Sequence, residues 1–188
     1  PHPSSGLRPP SPLAARRAKA LLTVGPTVRL CISTSSGYTP PVQHTTPVVV
    51  PDSVIAELRT IVGAENVLSH GHELLVYECD AYTLEKHLPG VVVLPRTTAE
   101  VAAVVKLAAR HELPVIPRGA GTSLSGTVLA STGGVMIALT RMNQILSVDF
   151  ANRRALVEAG VVNAHVTAAV KSRGLFYAPD PSSQPACT

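Results

Sequence analysis

The stretch Pro117-Arg118-Gly119-Ala120-Gly121-Thr122-Ser123-Leu124-Ser125-Gly126 follows directly on the apolar pair Val115-Ile116. Its glycines let a backbone turn tightly and bring N–H groups against a ligand with no side chain in the way. Thr122, Ser123 and Ser125 add hydroxyl donors. A concave row of donors of this kind suits a diphosphate, whose oxygens accept several hydrogen bonds and whose charge favours oriented amide dipoles.

Two familiar phosphate loops do not fit. A Walker loop needs Lys after its closing glycine; Gly121 to Gly126 has the spacing, but Thr127 follows, which disfavours a nucleoside triphosphatase. The dinucleotide fingerprint needs a third glycine where Leu124 stands, and a helix starting there. Thr132-Gly133-Gly134 and a strand pattern come instead. On the motif alone, a glycine-rich hairpin loop without a ligand remains the competing account.

Working outward, the flanks read as alternating strands and helices. Asp52 is an N-cap type residue, followed by Val54, Ile55, Leu58, Ile61 and Val62 at helical spacing, with Gly63 as the stop. Val91 to Leu94 predicts a buried strand ended by Pro95. Thr97 and Glu100 have capping-box spacing, and Val101, Val104, Val105 and Ala108 predict one helix face running to His111. Val115 to Pro117 is then a second strand, completing a parallel strand–helix–strand unit.

Beyond the loop, Gly134 to Leu139, Ile145 to Asp149 and Arg154 to Ala159 predict strands, with Asp149-Phe150-Ala151-Asn152-Arg153 as a hairpin turn. Asn163 opens a helix through Val166, Ala169 and Val170 that stops at Gly174. Tyr177 to Thr188 is a loop rich in Pro and Ser. Earlier in the chain, His70-Gly71-His72-Glu73 predicts a polar turn before a strand over Leu74 to Tyr77. A metal site there lacks a third ligand, so none is expected. His111 and His165 have no partner in sequence that would make them acid–base groups.

Composition narrows the function classes. Hydrophobic residues make up 45% but aromatics only 3%, so the core is built from aliphatic side chains, as suits an α/β or α+β protein. The formal charge of +4 is unevenly spread. Residues 1–51 carry Arg8, Arg16, Arg17, Lys19 and Arg29 and no acid, whereas the remainder is close to neutral. No basic stripe interleaved with aromatics is present, so nucleic acid is not an expected partner.

Cys31, Cys79 and Cys187 are far apart, and read as free thiols in a reducing compartment. No apolar run reaches the roughly eighteen residues of a membrane span, so no transmembrane segment is expected. Residues 1–51, rich in Pro and Ser, predict a disordered or non-native N-terminal extension. Its acid-free, Arg-bearing composition resembles that of organelle transit peptides. The folded domain is expected over residues 52–188.

Four motifs, in order, carry a resemblance to a known family. Tyr77-Glu78-Cys79-Asp80, Val92-Val93-Leu94-Pro95-Arg96, Arg118-Gly119-Ala120-Gly121-Thr122 and Tyr177-Ala178-Pro179-Asp180-Pro181-Ser182-Ser183-Gln184 resemble the FAD-binding subunit of glycolate oxidase and FAD-linked D-lactate dehydrogenases. These share the vanillyl-alcohol-oxidase (PCMH) type FAD-binding domain. The resemblance implies the N-terminal portion of that α+β domain, in which Pro117, Arg118, Gly119, Ala120, Gly121, Thr122, Ser123 and Gly126 wrap the FAD diphosphate. Pro179, Asp180, Pro181, Ser182 and Ser183 then lie along the ribityl chain and flavin, and Glu158-Ala159-Gly160 falls beside that pocket as the turn after a central strand.

Relatives that bond the flavin covalently have His where Thr122 stands, so non-covalent FAD is implied. The family's next segment, Thr-Ile-Gly-Gly, would begin where Thr188 stands, and its catalytic and metal-binding His residues belong to a later domain. No catalytic residue is therefore assigned within these 188 residues.

Two residues keep two readings. Arg118 either neutralises phosphate or holds the loop by pairing elsewhere. Asp180, between two prolines, either touches flavin or only shapes a turn.

The activity implied is hydride transfer from the α-carbon of a 2-hydroxy acid, such as glycolate or D-lactate, to flavin N5. Electrons would pass to a quinone or to partner subunits of a glycolate oxidase complex. The implied location is cytoplasmic, peripheral to the inner membrane through those subunits. The alternatives are a non-catalytic truncated product that binds FAD weakly or not at all, and an enzyme with the same FAD domain that reduces a sugar nucleotide. The first and last of the four motifs argue against the second of these.

Overall fold

The computed structural model describes residues 46–179 and 181–188. The readings made of residues 1–45 and of Asp180 lie outside the described residues.

The sequence of elements is α1 (Asp52–Val62), β1 (Val67–Leu68), α2 (Gly71–Leu74), β2 (Val91–Val93), α3 (Thr98–Arg110), β3 (Val115–Arg118), β4 (Val135–Ala138), β5 (Ile145–Asp149), β6 (Arg154–Val157) and α4 (Asn163–Val170). Strands β1 to β4 form one sheet in the order β1-β2-β4-β3, and β5 and β6 form a separate antiparallel pair. Both β2 and β3 run parallel to β4, which lies between them. The strand–helix–strand unit read from the sequence therefore exists, but its two strands are not neighbours. Its second strand leaves a gap that β4 later fills, because β4, buried at every position, needs a partner on each edge.

Alternation along the central strands divides the core. Val91, Val93, Val135 and Ile137 face one side, where Val54, Leu58 and Val62 of α1 and Val104, Leu107 and Ala108 of α3 cover them. Val92, Met136 and Ala138 face the other side and pack with Leu74, Ile116 and Ala130. Burying a Val or Leu side chain is worth about 1.5–3 kcal/mol, so these two aliphatic layers hold the domain without large aromatics.

Several local readings are corrected. Asp52 is the first residue of α1 rather than its cap. Pro51 stands at the cap without a side-chain bond, and Asp52 acts as an acidic first-turn residue. On α3 the buried face runs through Val104, Leu107 and Ala108, while Val105 is exposed. Thr97 accepts the Glu100 N–H at 3.2 Å as expected, but the Glu100 carboxylate returns to the Arg96 N–H at 2.7 Å instead of to Thr97. The stretch Leu74 to Tyr77 is helical, not a strand. His70 and Glu73 form the capping box of α2, which runs straight into a tight helical turn over Leu75–Tyr77.

The chain already pairs upstream of Asp52. Val48 donates its N–H to the Thr132 carbonyl at 2.8 Å, and Val50 is buried in the α1 layer.

Candidate cofactor site

The carboxyl ends of the parallel strands β3 and β4 carry the loops of interest, the edge at which open α/β sheets bind ligands. Pro117 and Arg118 are the last residues of β3. The loop from Gly119 to Gly126 is irregular, and Gly119 to Ser123 are half-buried. Gly121 and Gly126 adopt φ of 72° and 67°, conformations that glycine enters freely.

The loop offers its amides rather than consuming them. The Ala120 N–H donates to Thr188 Oγ1 at 3.2 Å. Among the described residues, no protein acceptor meets the N–H groups of Gly121, Thr122 and Ser123. The Ser123 hydroxyl is drawn inward, accepting from the Ser125 N–H and the Thr127 hydroxyl, which leaves only its own proton to donate. Side chains at Gly119 and Gly121 would run into Thr188 Oγ1 and the Arg118 guanidinium respectively. Small residues, unused amides and a left-handed turn make a cradle that fits an anionic diphosphate.

Beneath the loop lies a segment whose part in the site the sequence reading did not foresee. Arg118 is buried, and its Nη1 donates to the Cys79 carbonyl at 2.9 Å. Its guanidinium carbon sits 5.5 Å from the Tyr77 ring centroid. Ala81 donates its N–H to the Gly121 carbonyl at 3.0 Å. Asp80 is also buried; one carboxylate oxygen accepts the Tyr82 N–H at 2.8 Å, and the other has no donor among the described residues. Burial pushes the Tyr77 phenol up, with the Arg118 charge opposing it. The only sequence signal for this arrangement was the Tyr77-to-Asp80 motif itself.

The C-terminal segment docks on the start of α4. That helix has no side-chain cap, and its first amides are satisfied from outside: Asn163 N–H reaches the Cys187 carbonyl at 2.9 Å and Ala164 N–H the Gln184 carbonyl at 3.2 Å. Asn163 Nδ2 also donates to the Pro179 carbonyl. Pro179, Pro181 and Ser182 are exposed and Ser183 is half-buried. Among the described residues, the hydrogen bond that joins this segment to the glycine loop is accepted by Thr188, and Pro179, Pro181, Ser182 and Ser183 make none to that loop.

A cavity of about 680 Å³ opens between the β5–β6 pair and α4, with Phe150, Glu158, Ala159, Tyr177 and Thr188 among its walls. Among the described residues, Thr188 both lines this space and meets the glycine loop. Glu158 and Ala159 do line this space, but the preceding strand β6 is not central, since among the described residues it pairs only with β5. Gly160 packs so closely on the turn after β4 that a Cβ there would overlap the Leu139 carbonyl, and its N–H bonds the Met142 carbonyl at 2.7 Å.

An open glycine loop with free amides at the carboxyl edge of a parallel sheet marks a domain that binds a phosphate-bearing cofactor. A family model described as an FAD binding domain matches residues 89–188, and the chain belongs to that family. It is 40% identical over 136 residues to the glycolate oxidase subunit GlcD of Escherichia coli, covering 72% of this chain and 27% of the relative. It is 39% identical over 131 residues to a D-lactate dehydrogenase of Anaerostipes hadrus, covering 69% and 26%. The chain thus spans about a quarter of the length of the curated relatives it matches.

Among solved structures, an alkyldihydroxyacetonephosphate synthase superposes with a TM-score of 0.66 at 22% identity, covering 77% of this chain and 32% of the other. The p-cresol methylhydroxylase structure gives 0.63 at 25%, covering 72% and 27%. The fold is the N-terminal portion of the vanillyl-alcohol-oxidase (PCMH) type α+β domain.

Proposed function

We propose that this chain supplies the diphosphate-binding part of an FAD-dependent oxidoreductase that oxidises a 2-hydroxy acid such as glycolate or D-lactate. The reading is carried by one observation: the Gly119–Gly126 loop presents unused backbone donors at the carboxyl edge of β3, in a chain of the FAD-binding family. Bound FAD would accept the hydride from the substrate α-carbon. The chain's own contribution is position and field. Amides of Gly121, Thr122 and Ser123 hold the diphosphate, and Pro179, Pro181, Ser182 and Ser183 serve the ribityl chain and flavin.

Thr122 offers no imidazole, so FAD is held without a covalent bond. Partner subunits of the kind implied by the relatives' name, a glycolate oxidase subunit, would take the electrons onward. No residue here is proposed as catalytic.

Adding FAD to the purified chain and following the yellow absorbance band retained after gel filtration tests the reading. Retention is expected, and a colourless protein fraction would overturn it. Acid precipitation should then leave the chromophore in the supernatant; colour in the pellet would mean a covalent link.

A second reading is a non-catalytic product that binds FAD weakly or not at all. It predicts a colourless protein fraction after the same gel filtration.

A further inference from the structure

We infer that Arg118 is a positioning residue that sets the shape of the glycine loop from below and does not itself touch the diphosphate. The inference rests on the proposed cofactor reading for its consequence, though not for its geometry.

A guanidinium that neutralised phosphate would need its donors directed into the cradle. Here the residue is 8% exposed, Nη1 is committed to the Cys79 carbonyl, and the guanidinium carbon stands 5.5 Å from the Tyr77 ring centroid. Its other terminal nitrogen lies where a side chain at Gly121 would have to stand. A second tie runs beside it, from the Ala81 N–H to the Gly121 carbonyl. The segment is itself closed by the His87 N–H donating to the Glu78 carbonyl at 2.7 Å.

Arg118 and Gly121 are thus gripped from one short segment, Tyr77 to Ala81. With the Gly121 carbonyl turned down toward Ala81, the following amides are left for a ligand. The clasp therefore preorganises the cradle, so that the cost of ordering the loop does not fall on binding. Arg suits this role because its planar fork can donate to a carbonyl and face a ring at once, whereas the Lys ammonium is a compact point charge without that fork.

The test compares Arg118→Lys, Arg118→Ala, Tyr77→Leu and Tyr77→Phe in the full 188-residue chain. Two measurements are made: hydrogen exchange of the Ala81 amide in ligand-free protein, and the dissociation constant of ADP as a diphosphate probe. Arg118→Lys is expected to be as impaired as Arg118→Ala, each weakening ADP binding about tenfold and speeding Ala81 exchange about tenfold, the size expected for losing a hydrogen bond from a charged donor. Tyr77→Leu should move both readouts the same way with the Arg118 charge intact, and Tyr77→Phe, which keeps the ring, should stay close to wild type.

Wild-type ADP affinity in Arg118→Lys alongside a loss in Arg118→Ala would show direct charge contact and overturn the inference. So would unchanged Ala81 exchange in both. Should the Arg118 variants lose their helical circular dichroism, the two Tyr77 variants decide the question. Should wild-type protein bind neither ADP nor FAD, the cofactor reading fails, while the Ala81 exchange rates still decide whether the clasp exists.

Discussion

The Ala120 N–H and the Thr188 hydroxyl meet at 3.2 Å, across 68 positions of sequence. Through this bond a donor of the glycine loop already has an oxygen partner within the chain. Thr188→Val keeps the shape of the side chain but removes the acceptor. A neutral hydrogen bond nets about 1 kcal/mol, so the Ala120 amide should exchange about fivefold faster in the variant, measured by NMR. Added ADP should protect it equally in both proteins; unequal protection would show that Thr188 belongs to the cradle itself.

Gly121→Ala combines a positive φ of 72° with a Cβ directed into the Arg118 guanidinium. The left-handed conformation alone costs a non-glycine residue about 1–2 kcal/mol. Urea unfolding should show at least that loss, and FAD affinity should fall more than tenfold as the loop shifts. A variant with wild-type FAD affinity would separate the loop's shape from binding.

Gly160→Ala tests the close approach of the segment after β6 to the turn after β4. Its Cβ would overlap the Leu139 carbonyl, which is backbone and cannot swing aside. Overpacking of this kind costs about 1–3 kcal/mol. Thermal unfolding should record a lower midpoint, with no direct effect on the glycine loop.

Thr97→Ala removes the cap of α3, where the hydroxyl accepts the Glu100 N–H. A loss of about 1 kcal/mol is expected in urea denaturation. Cofactor binding should be unchanged, because α3 lies on the face of the sheet and not at its carboxyl edge.

Asp149 provides a pH test. Hydrogen bonds from the Asn152 side chain and backbone, at 2.7 Å and 3.0 Å, hold its carboxyl below the ordinary value. A depressed folded pKa stabilises the hairpin above the unfolded value of about 3.9, and that contribution is lost as pH falls through the folded pKa. Asn152→Ala should raise the Asp149 titration midpoint toward the ordinary carboxylate range, followed by NMR of the side-chain carboxyl. An unmoved midpoint would show that the backbone amides suffice.

Burial raises the Tyr77 phenol in the opposite sense, so its contribution is present at neutral pH and lost only as pH rises through the folded value. Alkaline difference spectra should place Tyr77 above the ordinary tyrosine range.

Most elements were legible in the sequence because their determinants are local. The helices α1, α3 and α4 announce themselves by spacing and stop signals, and the Asp149–Arg153 turn by its composition. Leu74 to Tyr77 was misread because four apolar residues in a row carry no period that separates strand from helix. The His70–Glu73 capping box just before them started a helix. Val105 was placed on the buried face because helical spacing gives the width of an apolar stripe, not its centre; contact with α1 moved that centre to Leu107.

By itself the sequence determined the chemistry on offer: a glycine loop rich in amides and hydroxyls, placed after a buried strand, in a chain whose motifs fix its family. Only the tertiary structure decided where β4 inserts and that Arg118 turns inward to Cys79 and Tyr77 while Thr188 comes to rest on Ala120. Strand order and these contacts join residues tens of positions apart, and they are set by which buried strand edges and polar groups find partners when the chain packs. That is a property of the assembled fold, which no local pattern encodes.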